Sequence, residues 1–148
     1  MYVTKIFEFE ASHHLPNYVG ACHNLHGHSY KLEVTVGGSV QTEGEKSGMI
    51  IDFKDLKKIV NEVAVDKYDH SYLNDYFLNP TAEIMVKQIA TDIISRLPRN
   101  VYLVSCKLWE TDTSYAEYSA VEDDMLNRLS ELERLLKYAD QSTLRPAT

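Results

Sequence analysis

The chain has 148 residues, 44% of them hydrophobic, and a formal net charge of −7. That length and content suit a single packed domain rather than a disordered or fibrous chain, and the acidic balance argues against sequence-independent nucleic-acid binding, which depends on Lys and Arg neutralising phosphates. No apolar run approaches the roughly 20 residues that cross a bilayer and the N-terminus lacks a signal-peptide pattern. A cytoplasmic protein with no membrane partner is therefore expected. Two cysteines, Cys22 and Cys106, lie far apart in different surroundings and imply no disulfide framework.

In chain order, residues 3–13 alternate, with Val3, Lys5, Phe7, Phe9, Ala11 and His13 on one face, and predict a half-buried strand ending at His13. Residues 26–36 alternate more cleanly, placing His26, His28, Tyr30, Leu32, Val34 and Val36 together. The loop from Pro16 to Leu25 joins the two as an antiparallel pair. Phe53, Leu56, Val60 and Val63 then form a helical stripe with Asp52 as cap. Asn79-Pro80-Thr81 opens a second helix with Val86, Ile89, Ala90, Ile93 and Leu97 inward, ended by Pro98. Residues 101–110 and 115–121 read as a second strand pair around Thr111 to Ser114. From Glu122 an acidic amphipathic helix carries Met125, Leu129, Leu132 and Leu136, fading into a polar tail after Asp140. This leucine stripe is assigned to packing on its own domain in preference to a coiled coil, which wants three or four heptads, although a subunit contact stays open. The expected fold is α+β, an antiparallel four-stranded sheet and two helices in ββααββ order over residues 1–121, with 122–148 a helical extension and tail of the same domain.

Five of the six histidines fall between residues 13 and 28. His26 and His28 are spaced i, i+2, which on a strand aims both rings to one side, whereas a helix would turn them about 200° apart. His13 ends the neighbouring strand in its apolar phase and can supply a third nitrogen. Three imidazoles leave zinc one open position, as in catalytic sites. His14 and His23 read as ordinary hydrogen-bonded residues. Cys22, four residues before His26, could be a fourth ligand closing a structural Cys-His₃ site or a thiolate base, and spacing alone does not separate the two. Cys106, mid-strand, reads as a small buried hydrophobe. Asp69 can orient the adjacent His70. Glu110 falls on the apolar face with Tyr102, Val104, Cys106 and Leu108, where it could anchor structure or accept two N–H bonds from a guanidine-like edge. Glu83 reads as a surface charge favoured by the helix dipole.

Six spaced segments resemble one family, that of 6-pyruvoyl- and 6-carboxy-tetrahydropterin synthases. They are Phe9-Glu10-Ala11-Ser12-His13-His14-Leu15, Cys22-His23-Asn24-Leu25-His26-Gly27-His28, Gly48-Met49-Ile50-Ile51-Asp52-Phe53, Tyr68-Asp69-His70 with Leu73-Asn74, Pro80-Thr81-Ala82-Glu83, and Trp109-Glu110-Thr111. The resemblance spans roughly residues 3–121. It implies a tunnelling fold assembled as a hexamer, a dimer of trimers, with active sites between subunits. By position, His13, His26 and His28 would bind Zn²⁺, Cys22 would be the catalytic base, Asp69 and His70 would relay protons, and Glu110 would hold the pterin. Three residues separate Cys22 from His26-Gly27-His28, as in the queuosine-pathway branch. The implied reaction converts 7,8-dihydroneopterin triphosphate to 6-carboxy-5,6,7,8-tetrahydropterin, releasing acetaldehyde and triphosphate. The rivals are 6-pyruvoyl-tetrahydropterin formation, dihydroneopterin side-chain cleavage, and a non-catalytic module with a closed zinc site. No Lys/Arg motif marks a triphosphate site.

Overall fold

A computed structural model describes residues 1–143. Within it, the chain divides into two compact units, Met1–Tyr118 and a second beginning at Ser119.

In the first unit, β1 (Tyr2–His13) pairs antiparallel with β2 (His26–Gly38) along its whole length, from Tyr2 opposite Gly37 to His13 opposite His26. The pairing follows from the alternation. With Phe7, Phe9, Ala11 and His13 buried on β1 and Tyr30, Leu32, Val34 and Val36 on β2, this register keeps both apolar sets on one face, and a one-residue slip would expose them all. The other face carries Glu8, Glu10, Lys31 and Glu33.

β4 (Val101–Thr111) pairs antiparallel with β2, and β5 (Ser114–Ser119) completes that edge. The simple alternation expected for β4 fails in its first half. Val101 and Leu103 are buried and Tyr102 is 55% exposed, whereas Cys106 and Leu108 are buried farther on. A register shift between Thr35 and Val36 is the cause: Thr35 faces Ser105 and Val36 faces Leu103, so Val104 has no opposite residue and the phase inverts. The shift returns Glu110 to the phase in which it can meet the histidine strand.

The sheet has five strands rather than four, because β3 (Ser71–Tyr72) pairs parallel with β1, giving the order β3-β1-β2-β4-β5. Two residues are too few for a hydrophobic alternation to announce, and the pairing is set by side-chain bonds described below. The mixed α+β class stands.

The helical region after Asp52 is α1 (Phe53–Val60), a π turn over Asn61–Val65 and the short α2 (Asp66–Tyr68). Leu56, Val60, Val63 and Ala64 face inward, while Phe53 is 49% exposed. Asp52 Oδ1 accepts the Lys54 N–H at 2.8 Å as the N-cap. Asp52→Ala is expected to lower stability by about 1 kcal/mol, read as a shifted urea midpoint with an unchanged slope. The longer α3 (Ala82–Ile94) is capped by Thr81 and buries Met85, Val86, Ile89, Ala90 and Ile93. Leu97, expected within this helix, lies beyond its end and is partly buried. These helical residues and the inward strand residues form one hydrophobic core.

The second unit holds α4 (Ala120–Thr143). It begins two residues before the expected start. The polar tail expected after Asp140 is helical as far as Thr143, and its remainder lies outside the described residues. Met125, Leu129, Leu132 and Leu136 are all more than half exposed.

Candidate active site

The β1–β2 register sets His13 directly opposite His26 and Ala11 opposite His28, which gathers three imidazoles at the open end of the pair. Ring centroids lie 4.6 Å apart for His13–His26, 5.0 Å for His13–His28 and 4.8 Å for His26–His28. One nitrogen from each lies within 4.8 Å of the others, a spacing that can hold a metal ion. Among the described residues this grouping contains no thiol or carboxylate.

The hydrogen bonds say which nitrogens are available. His13 Nδ1 donates to the Pro80 carbonyl at 2.9 Å, and His26 Nδ1 donates to the Asn24 carbonyl at 2.7 Å. A carbonyl only accepts, so in each neutral ring the proton sits on Nδ1 and the lone pair on Nε2. Those two Nε2 atoms are 3.0 Å apart. Two lone pairs at that distance repel unless a proton or a cation lies between them. His28 Nε2 is buried with no hydrogen-bond partner, the Glu110 carboxylate being 3.6 Å away. Carbonyl-held Nδ1–H groups and converging Nε2 lone pairs are what a metal site requires of its ligands. Burial holds the His13 and His28 pKa values below the ordinary imidazole range, against the opposing pull of the Pro80 carbonyl on His13 and of Glu110 on His28. Both rings thus favour the neutral, ligating form.

Cys22 stands on a 3₁₀ turn, Ala21–His23, and is half-buried. The turn is tied back when Leu15 N–H donates to the Cys22 carbonyl at 2.9 Å. Gly20 leads into it at φ +150°, and a Cβ there would come within 2.7 Å of the Tyr18 ring, so only glycine serves.

Asp69 and His70 follow α2. Asp69 Oδ1 accepts the Glu10 N–H at 2.9 Å, and the His70 N–H donates to the Glu10 carbonyl at 2.6 Å, so the dipeptide grips both backbone groups of one residue on β1. His70 adopts φ +55°, a conformation costly for a side chain bearing a Cβ, and this double bond holds it there. Asp69 Oδ2 lies 3.0 Å from His70 Nδ1, with the ring itself largely exposed. A few residues on, Asn74 repeats the device, accepting the His14 N–H at 3.0 Å and donating to the His14 carbonyl at 2.9 Å. His14 Nδ1 and the Tyr72 hydroxyl share a hydrogen bond at 2.6 Å, and the His14 ring lies 6.4 Å from that of His23.

The Glu10 N–H, and secondarily His70, hold the Asp69 carboxyl below its usual range. A depressed folded-state pKa gives a contribution present at neutral pH and lost as pH falls through the lowered value. Asp69→Asn is therefore expected to be less stable than the parent at pH 7, with the gap in denaturation midpoint closing in acid.

Two clefts flank the trio. One, of about 560 Å³, is lined by Glu10, Ser12, His28, Ser29, His70 and Tyr72. The other, of about 370 Å³, is lined by Leu15, Tyr18, Thr81, Glu83, Glu110 and Tyr115. Glu110 and His70 thus line different clefts, with His28 on the wall of the first and 3.6 Å from Glu110 of the second. Glu10, Ser29 and Tyr72 escaped notice in the sequence. Glu10 sits in the outward phase of β1 beside Glu8, and Ser29 Oγ donates to its carboxylate at 2.8 Å. Cys106 is fully buried and its thiol is pushed up to about 12 by burial, consistent with a core role.

Together the fold and the trio define a tunnelling-fold protein built around a candidate metal site. A family model described as 6-pyruvoyl tetrahydropterin synthase matches residues 2–121, and the chain belongs to that family and is one of its enzymes. It is 36% identical over 136 residues to a Haemophilus influenzae protein named 6-carboxy-5,6,7,8-tetrahydropterin synthase, covering 78% of this chain and 96% of the relative. It is 38% identical over 102 residues to a Pyrococcus furiosus protein named dihydroneopterin monophosphate aldolase, covering 69% and 82%. The structure of Caenorhabditis elegans 6-pyruvoyl tetrahydropterin synthase superposes with a TM-score of 0.70 at 24% identity, over 81% of this chain and 95% of that one, a likeness of fold. Among the described residues no helix is long and apolar enough to cross a membrane.

Proposed function

We propose that this chain carries out the zinc-dependent conversion of 7,8-dihydroneopterin triphosphate to 6-carboxy-5,6,7,8-tetrahydropterin, with release of acetaldehyde and triphosphate, as a step of queuosine biosynthesis. The observation that carries the reading is the trio of converging histidines, two of them oriented by backbone carbonyls, with a thiol outside the metal grouping. His13, His26 and His28 hold the zinc. When bound, it supplies a Lewis acid that polarises the substrate's side-chain oxygens. Cys22, free of ligation, takes and returns protons as a thiolate. Asp69 steadies His70 for proton exchange, and the exposure of the His70 ring leaves it open to a ligand. Glu110 accepts N–H bonds from the pterin ring, and its 3.6 Å approach to His28 ties the ring's position to that of the metal ligands.

The placement of Glu110 and His70 in separate clefts favours an assembly in which faces of different subunits complete each site, in line with a hexamer of two trimers. The likeness to the aldolase supports a second reading, cleavage of the dihydroneopterin side chain. Incubation of the zinc-loaded protein with dihydroneopterin triphosphate decides between them. Acetaldehyde with the 6-carboxy product is expected. Glycolaldehyde, or a pyruvoyl product retaining all the side-chain carbons, overturns the assignment.

A further inference from the structure

From residue 122 onward the helix α4 lies outside the residues matched by the family, 2–121, and that part inherits no role from it. Met125, Leu129, Leu132 and Leu136 follow one another at intervals of four, three and four residues, the a/d rhythm of a coiled coil. They are 58%, 55%, 56% and 69% exposed. Leu126 and Leu135 widen the seam and are exposed as well. The opposite side carries Asp123, Asp124, Asn127, Ser130, Glu131 and Arg134, so over residues 123–136 the apolar character keeps to one stripe, with the exposed Tyr138 on the other side farther on. A helix in a protein takes most of its stability from covering such a stripe rather than from propensity.

We infer that this stripe is a homotypic contact in which α4 pairs, parallel and in register, with α4 of a second copy of this chain. Charge identifies the occupant and its direction. With Leu129 and Leu136 at a and Met125 and Leu132 at d, Arg128 takes a g position and Glu133 the e position of the next heptad. In a parallel, in-register pair these two positions meet across the seam, so Arg128 of each copy faces Glu133 of the other, and Val121 faces Leu126 one heptad earlier. An antiparallel pair sets g against g and e against e, which offers Arg128 only valine, arginine or leucine and Glu133 only leucine or an acidic residue, and so no opposite charge for either. In the single chain Arg128 pairs with Asp124, 2.9 Å away one turn earlier in the same helix.

Cysteine cross-linking of the full chain tests the arrangement. Leu132→Cys and Met125→Cys, at core positions, are each expected to give covalent dimers under mild oxidation. Asn127→Cys, on the far side of the helix, is expected to give no more than the unaltered protein with its native Cys22 and Cys106. Arg128→Glu added to either core variant should slow cross-linking several-fold, and Arg128→Glu with Glu133→Arg should restore it. Equal yields from Leu132→Cys and Asn127→Cys overturn the contact. Cross-links forming only between mixed Leu129→Cys and Leu132→Cys chains overturn its direction, and failure of the charge exchange to restore the rate overturns its register.

Discussion

His28→Ala is expected to lower the stability of the zinc-loaded protein by roughly 2.7 to 4.1 kcal/mol, at zinc concentrations about 100 to 1,000 times the parent's Kd, while changing the chelator-treated protein by no more than about 1 kcal/mol. The asymmetry comes from the unpartnered Nε2 of His28. Without metal, that nitrogen carries the cost of desolvation with no bond to offset it, so removing it also removes a liability that counters the lost packing. With metal bound, the same nitrogen is a ligand, and its loss weakens the linkage between binding and folding. A histidine serving only as a packed core residue would show equal losses in both states. Thermal unfolding with and without chelator, together with metal content, measures the difference, and turnover should fall with the metal.

Cys22→Ala is expected to leave zinc content and unfolding midpoint within error of the parent and to reduce turnover by about 10²- to 10⁴-fold. The half-buried position of Cys22 on a short turn, outside the metal grouping, motivates the split. A structural ligand would behave oppositely, with metal loss and destabilisation in the variant. Cys106→Ala is the natural companion, since its buried thiol predicts a stability loss with catalysis intact. Single-turnover rates separate a missing proton transfer from slow product release.

The parts of this molecule that the sequence announces are those where one periodicity runs uninterrupted. Residues 3–13 and 26–36 alternate without a break, so strand, face and the convergence of His13, His26 and His28 could all be read from phase. The capping signals at Asp52 and Thr81 were equally local. Three features were not legible for physical reasons. The inversion along β4 depends on an extra residue opposite Thr35 and Val36, which appears only once strands are paired. β3 is held where Asp69 and His70 bind the backbone of Glu10 on β1 and Asn74 that of His14 just past its end, and two residues carry no period of their own. The place of Glu10 in a cleft was not legible because alternation reports only which side a residue faces, and a cleft can open on the outward side too.

The double grip of Asp69 and His70 on Glu10, and of Asn74 on His14, bears on how this site tolerates change. Residues 69–74 are stitched at both ends to residues 10–14, so the segment bearing the candidate proton relay and the strand bearing a candidate metal ligand form one mechanical part. Insertions or deletions in the long connection over residues 39–49, or in the turn after Asp75, would change the surface without altering the spacing between relay and ligand. A chain built this way can vary its periphery while the reacting geometry is passed on intact.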